Sequence, residues 1–284
     1  MKIVVAGGKG GVGKSMVASS LALLLAKGGK VVAVDCDVDA ANLGLWLGVK
    51  GFENGRKVST SVKAKIDAEK CIACGRCFDK CRFGAVEEKA GKYAVNRLLC
   101  EGCGVCRIVC PAGGAVTMDK VYNGLVQVNE GDLPFPLISG KLFPGERCSG
   151  KIVAEVRKEA EKIECEVMVL DAAAGIGCTV NAAVVNTDYA VLVTEPTPSG
   201  LSDLKRILTV VNHFKVPYGV IINQWDINPE FSKEIEKFSG KRLLGKIGYD
   251  RAVVDAIVSL TPVLETGAKA AEELKEVLSK VPVK

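Results

Sequence analysis

The segment Gly8-Lys9-Gly10-Gly11-Val12-Gly13-Lys14-Ser15 constrains this chain more than any other. It follows the apolar run Ile3-Val4-Val5-Ala6 and precedes an apolar stretch from Met16 to Ala26. Strand, glycine loop and helix in that order, with G-x-x-x-x-G-K-[ST] in the loop, predict a phosphate cradle. The glycines let the backbone curl so that successive N–H groups point into one concavity. The helix N-terminus adds partial positive charge at the same place. Gly10, Gly11, Val12, Gly13, Lys14, Ser15 and Met16 are therefore expected around ATP or ADP. Lys14 would neutralise the β/γ-phosphates, and the Ser15 hydroxyl would ligate Mg²⁺.

The rest of the chain reads as α/β, with a doubly wound, mostly parallel sheet. Hydrophobic residues make up 48% but aromatics only 5%, which suits Val/Ile/Leu/Ala strands buried on both faces. Val31 to Asp35 is expected as a second parallel strand beside the first. Its end carries Asp35, Asp37 and Asp39, where open α/β sheets bind ligands. Val167-Met168-Val169-Leu170-Asp171 is an apolar strand ending in a carboxylate, and Asp171 is expected to hold Mg²⁺ through water. Ala172 to Gly175 would form the loop after it. Tyr189–Thr194 and Pro217–Asn223 are further strands. Residues 199–214 read as a helix capped by Ser199, 151–162 as another, and the tail 268–284 as a packed terminal helix. Residues 51–60 turn to Gly, Asn, Ser, Lys and Arg and read as an exit from the domain.

Lys9 adds a second lysine to the loop. Lys9-Gly10-Gly11-Val12-Gly13-Lys14-Ser15 resembles the deviant Walker A of the MinD/ParA/Mrp/nitrogenase-iron-protein superfamily. The resemblance implies an ATP-sandwich homodimer in which Lys9 reaches the partner's nucleotide. It also implies that Lys9, Lys14 and Asp37 are catalytic, with Asp37 orienting the attacking water and Asp35 near Mg²⁺. By the same likeness Asn223 contacts adenine. Thr194-Glu195-Pro196-Thr197-Pro198-Ser199-Gly200-Leu201 belongs to the same pattern.

Twelve cysteines are many for a chain expected in the cytoplasm. That location is the expectation because the N-terminus enters a strand directly, without a leader. Disulfides are not expected there, so metal ligation is the first reading. Cys71, Cys74, Cys77 and Cys81 form one C-x2-C-x2-C-x3-C run, and Cys100, Cys103, Cys106 and Cys110 a second. Gly84-Ala85-Val86 after the first returns as Gly114-Ala115-Val116 after the second. This duplication resembles two-cluster bacterial ferredoxins. By that likeness Cys71, Cys74, Cys77 and Cys110 hold one [4Fe-4S] cluster, and Cys100, Cys103, Cys106 and Cys81 the other. Zinc sites use C-x2-C pairs, but two tandem four-cysteine runs are unusual for them. Arg82 stands where the ferredoxin pattern has proline, and its charge is expected to raise that cluster's potential.

The chain as a whole resembles MinD-superfamily ATPases with an inserted ferredoxin domain. Residues 1–60 and 121–284 would form the ATPase, and 61–120 the insert. Cys178 follows Asp171 closely, in the region where the resemblance to the nitrogenase iron protein implies a cysteine for an intersubunit cluster, so it is a candidate bridging ligand. Cys36 and Cys165 flank strands and read as packing residues. The formal charge of +5 is modest, and the lysines interleave with glutamates, so neither nucleic acid nor membrane is an expected partner. Two functions follow. One couples nucleotide state to electron transfer or to Fe–S/metallocofactor delivery to an acceptor protein. The other is a MinD/ParA-like positioning switch whose clusters sense redox state.

Overall fold

The structure, a computed structural model, describes residues 1–52 and 54–283. Its strands are β1 (Lys2–Gly7), β2 (Val31–Asp35), β3 (Asn54–Val58), β4 (Ser61–Ile66), β5 (Val86–Lys89), β6 (Lys92–Val95), β7 (Val116–Val121), β8 (Gly124–Asn129), β9 (Leu137–Leu142), β10 (Val167–Ala174), β11 (Tyr189–Thr194), β12 (Tyr218–Asn223) and β13 (Leu243–Ile247). The helices are α1 (Lys14–Leu25), α2 (Leu43–Trp46), α3 (Arg76–Asp79), α4 (Val105–Val109), α5 (Ser149–Ala160), α6 (Cys178–Val184), α7 (Pro198–His213), α8 (Pro229–Ser239), α9 (Arg251–Val258) and α10 (Lys269–Leu278). Among the described residues, no helix is long and apolar enough to cross a membrane.

The chain divides into two units. The larger comprises Met1–Arg56, Val126–Lys141 and Ser149–Lys284, and the smaller Lys57–Leu125 and Leu142–Cys148. Nine strands form one sheet in the order β13-β12-β11-β1-β10-β2-β9-β8-β3. Pairings from β13 through to β9 are all parallel. Ile3, Val4, Val5, Ala6, Val32, Ala33, Val34, Val169 and Leu170 are completely buried, which is why these strands read as unbroken apolar runs. Each large side chain buried this way contributes about 1.5–3 kcal/mol relative to exposure.

Four expectations change here. β2 does not lie beside β1, because β10 lies between them, paired in parallel to both. β10 continues to Ala174 instead of ending at Asp171, since Ala174 still pairs with Gly7. The stretch 51–60 contains β3, the last strand of the sheet order, rather than only an exit loop; residue 53 lies outside the described residues. The tail does pack as a helix: Ala270, Ala271, Leu274, Val277 and Leu278 of α10 are buried, and residue 284 lies outside the described residues. The α7 cap is Thr197, not Ser199. The Thr197 hydroxyl accepts from Gly200 N at 2.9 Å, and Pro198 fills the first helical position, where its missing N–H costs nothing.

The smaller unit has two two-stranded sheets, β4-β7 and β5-β6, both antiparallel. Its halves repeat their backbone bonds. Asp67 N donates to Ala115 O at 2.8 Å, and Asn96 N to Ala85 O at 2.7 Å. Cys71 N bonds Asp67 O at 3.0 Å, and Cys100 N bonds Asn96 O at 3.1 Å. The sequence duplication is thus a structural one.

Candidate functional site

Within the larger unit, the loop after β1 has the backbone that its glycines permit. Gly11 and Gly13 have φ of 81° and 96°, a region that side chains disfavour. A Cβ on Gly13 would also collide with the Asn223 amide. Asn223, buried at the end of β12, donates from Nδ2 to the Val12 carbonyl at 3.0 Å. It therefore clamps the loop, whatever it contacts on a base. α1 begins at Lys14 with Gly13 as its cap.

Below this loop lies a cavity of about 590 Å³ lined by Gly10, Gly11, Gly13, Lys14, Ser15, Met16, Asp37 and Asn223, with Ala174 behind. The size is that of a small-molecule site. Sequence reasoning missed its apolar wall, Trp46 of α2 with Val253, Val254 and Ile257 of α9, and the neighbouring Gln224. No local motif marks these residues. Only the apolar face of α9 hinted that it covers something.

Lys14 is buried, and its Nζ donates to the Lys9 carbonyl at 3.0 Å. Burial lowers its pKa, while the charges of Asp171 and Asp37 act in the opposite sense. Lys9 does not line the cavity; its Nζ pairs with Glu195 Oε1 at 2.7 Å. The three carboxylates differ. Asp35 is fully engaged, accepting from Asp37 N at 3.0 Å and Leu43 N at 2.9 Å; burial raises its pKa to about 7. It braces the loop after β2. Asp37 lines the cavity and accepts from Ala40 N at 3.2 Å, while Asp39 is exposed. Asp171 is buried, and neither of its oxygens has a hydrogen-bond partner. Burial lifts its pKa well above the usual carboxylate range, and the charge of Asp35 adds to this. Two carboxylate oxygens left unsaturated, with the Ser15 hydroxyl near enough to favour their charged form, are hard donors of the kind Mg²⁺ takes alongside water and phosphate oxygens.

In the smaller unit, Cys81, Cys100, Cys103 and Cys106 line one small cavity with Phe83, Val86 and Val95. Backbone N–H groups aim at the sulfurs: Ala64 N at Cys100 Sγ (3.4 Å) and Ala85 N at Cys81 Sγ (3.3 Å). Burial pushes the Cys106 thiol up, with the nearby Cys100 and Cys103 thiols adding. Burial does the same to Cys77, whose neighbouring thiols are Cys110 and Cys71. The Cys71 thiol is lowered, chiefly by the Tyr93 backbone N–H. Gly75 and Gly104, with φ of 76° and 77°, open α3 and α4 at matching places in the two runs. Among the described residues, no three His, Cys, Asp or Glu side chains converge closely enough to hold a single metal ion. Cys178, at the start of α6, is exposed, with Sγ 3.7 Å from Ser149 Oγ. Cys36 is buried, whereas Cys165 is half-buried.

Comparison with known proteins agrees with this geometry. The chain is 35% identical over 286 residues to an uncharacterized protein of Methanocaldococcus jannaschii, covering 99% of this chain and 96% of that one. It is 27% identical over 257 residues to an iron-sulfur cluster carrier protein of Pyrococcus abyssi, covering 88% and 71%. The septum site-determining protein MinD of Pyrococcus horikoshii, solved with Mg-ADP, has the same fold: TM-score 0.60, 20% identity, 99% of this chain and 95% of that chain covered. Residues 3–263 match the CobQ/CobB/MinD/ParA nucleotide binding domain. With a phosphate loop, a buried carboxylate with free oxygens and this match over most of its length, the chain belongs to that family and is an ATP-binding, ATP-hydrolysing P-loop protein.

Proposed function

We propose that this ATPase couples its nucleotide state to electron transfer, or to Fe–S or metallocofactor delivery, through an inserted two-[4Fe-4S] ferredoxin domain at residues 61–120. The observation that carries the reading is the set of four thiols, Cys81, Cys100, Cys103 and Cys106, around one cavity. Three come from the second run and one from the first, as the likeness to two-cluster ferredoxins implies. Cys110 and Cys71 both lie near enough to act on the Cys77 thiol, which supports the second set, completed by Cys74. Donor chemistry fits as well: thiolates with backbone N–H groups directed at sulfur suit a cluster. Bound there, the clusters supply one-electron carriers at low potential. The iron-sulfur carrier name of the Pyrococcus relative points the same way.

In the ATPase domain, residues 1–60 and 121–284, Lys14 and the loop N–H groups hold the phosphates. Ser15 and Asp171 hold Mg²⁺, with Asp35 bracing the loop beside them. Asp37 orients the attacking water. Asn223 fixes the loop and faces the base. Two copies close on ATP as a homodimer, with Lys9 completing the partner's site. Such a clamp has two states, and an acceptor protein that docks on one of them receives electrons or a cluster only in that state.

Cluster reduction, and iron transfer to an apo-acceptor, measured with and without ATP test the coupling. A response to ATP is expected. If neither responds, the coupling fails and the alternative, a redox sensor on a positioning switch, gains. For Cys178, bridging predicts that Cys178→Ala lowers iron per dimer; unchanged iron removes it from the ligand set.

A further inference from the structure

Lys9 is turned away from its own cavity and tied down. Its Nζ lies 2.7 Å from Glu195 Oε1 and 3.5 Å from Ser199 Oγ. The Thr197 hydroxyl donates to the same Glu195 oxygen at 3.0 Å. The frame around this pair is stiff. A side chain on Gly8 would collide with the Asp203 carbonyl, and one on Gly200 with the Glu195 carbonyl. Thr194 Oγ1 also ties down Gly200 O at 2.9 Å. Backbone on both sides is thus packed, whereas the Lys9 ammonium is held by side-chain contacts alone.

We infer that Glu195 is a positioning residue that restrains self-association: within one chain it neutralises Lys9, and a phosphate presented by a second copy must displace it. The inference rests on the proposed homodimer. A carboxylate and a phosphate compete for the same ammonium, and their like charges repel each other. The pair is displaceable because it is partly exposed, with 35% of the Lys9 side chain and 20% of that of Glu195 open to solvent. Pairs of this kind change an equilibrium by up to about fivefold. A two-fold dimer contains two, so their effects multiply.

The test is sedimentation of wild type, Glu195→Gln and Lys9→Ala with Mg²⁺ and a non-hydrolysable ATP analogue. Glutamine keeps an acceptor for Thr197 but removes the competing charge. Glu195→Gln is expected to tighten the dimer about two- to thirtyfold at low salt. The gap should close at about 0.5 M salt, where exposed charges are screened; a merely structural role would not give that salt dependence. Lys9→Ala should stay monomeric. If wild type dimerises and Glu195→Gln is no tighter, this inference fails alone. If wild type stays monomeric with analogue bound, the homodimer reading fails and takes the inference with it.

Discussion

The two units of this chain reach an ordered structure by different means. The larger buries a parallel sheet on both faces, with whole strands inaccessible to solvent. The smaller buries few apolar side chains: Val58, Ala64, Ala85, Val86, Ala115, Val116 and Val121, with Cys71 and Cys77 among them. It has two hairpin-sized sheets and two helices of four and five residues. Meanwhile Ile72, Phe78, Leu98 and Ile108 are exposed. A unit this small with so thin a core ordinarily requires a staple. The difference teaches that apolar packing maintains the nucleotide site, whereas the other unit lacks a comparable core; under the proposed function, thiol ligation supplies what that core does not.

The sharpest way to break the comparison is to strip metal anaerobically with a chelator and follow hydrogen exchange. Amide protection across 61–121 should fall by at least about tenfold, with β1 and β10 unchanged. Persistent protection in the small unit would show that its own packing suffices. Lys14→Ala attacks the other side. ATP binding should weaken by about 100-fold or more, as expected for losing a buried phosphate-binding charge. Iron content should stay at the wild-type value; loss of both would mean that the units do not fold independently.

Asp37→Ala sharpens the assignment within the nucleotide site. Hydrolysis should slow about 100-fold or more, with ATP affinity nearly unchanged. Wild-type turnover would remove Asp37 from the mechanism. The smallest effect concerns pH. The Asp35 carboxyl titrates at about 7 when folded and near 3.9 when unfolded, so the folded chain binds more protons between these values. Stability of the nucleotide-free protein should therefore fall as pH rises from about 4 to about 7, and Asp171, raised in the same sense by burial, extends the fall. Melting temperature against pH checks this, and Asp35→Asn should make the slope between about 4 and about 7 shallower.

The loop from Gly8 to Ser15 was legible because its chemistry is local: each glycine and the lysine act within one turn of chain. The duplication in the smaller unit was legible for the same reason, since each half repeats its own local backbone bonds. The neighbour of β1 was not, because β10 comes more than 150 residues later and nothing in Val31–Asp35 records that it intervenes. The distinct parts of Asp35 and Asp171 were also hidden. Both close apolar runs of sequence, yet backbone N–H groups saturate only one of them. Trp46 and the α9 residues reach the cavity through tertiary packing, and Glu195 meets Lys9 across 186 positions of sequence.

The claim on which the account depends is that one chain carries both a nucleotide site and ligands for two clusters. Metal and acid-labile sulfide analysis of anaerobically purified protein, with bound nucleotide counted in the same sample, addresses it directly. The account predicts about eight irons, about eight sulfides and one nucleotide per chain. Zinc in place of iron, or iron without sulfide, would contradict it.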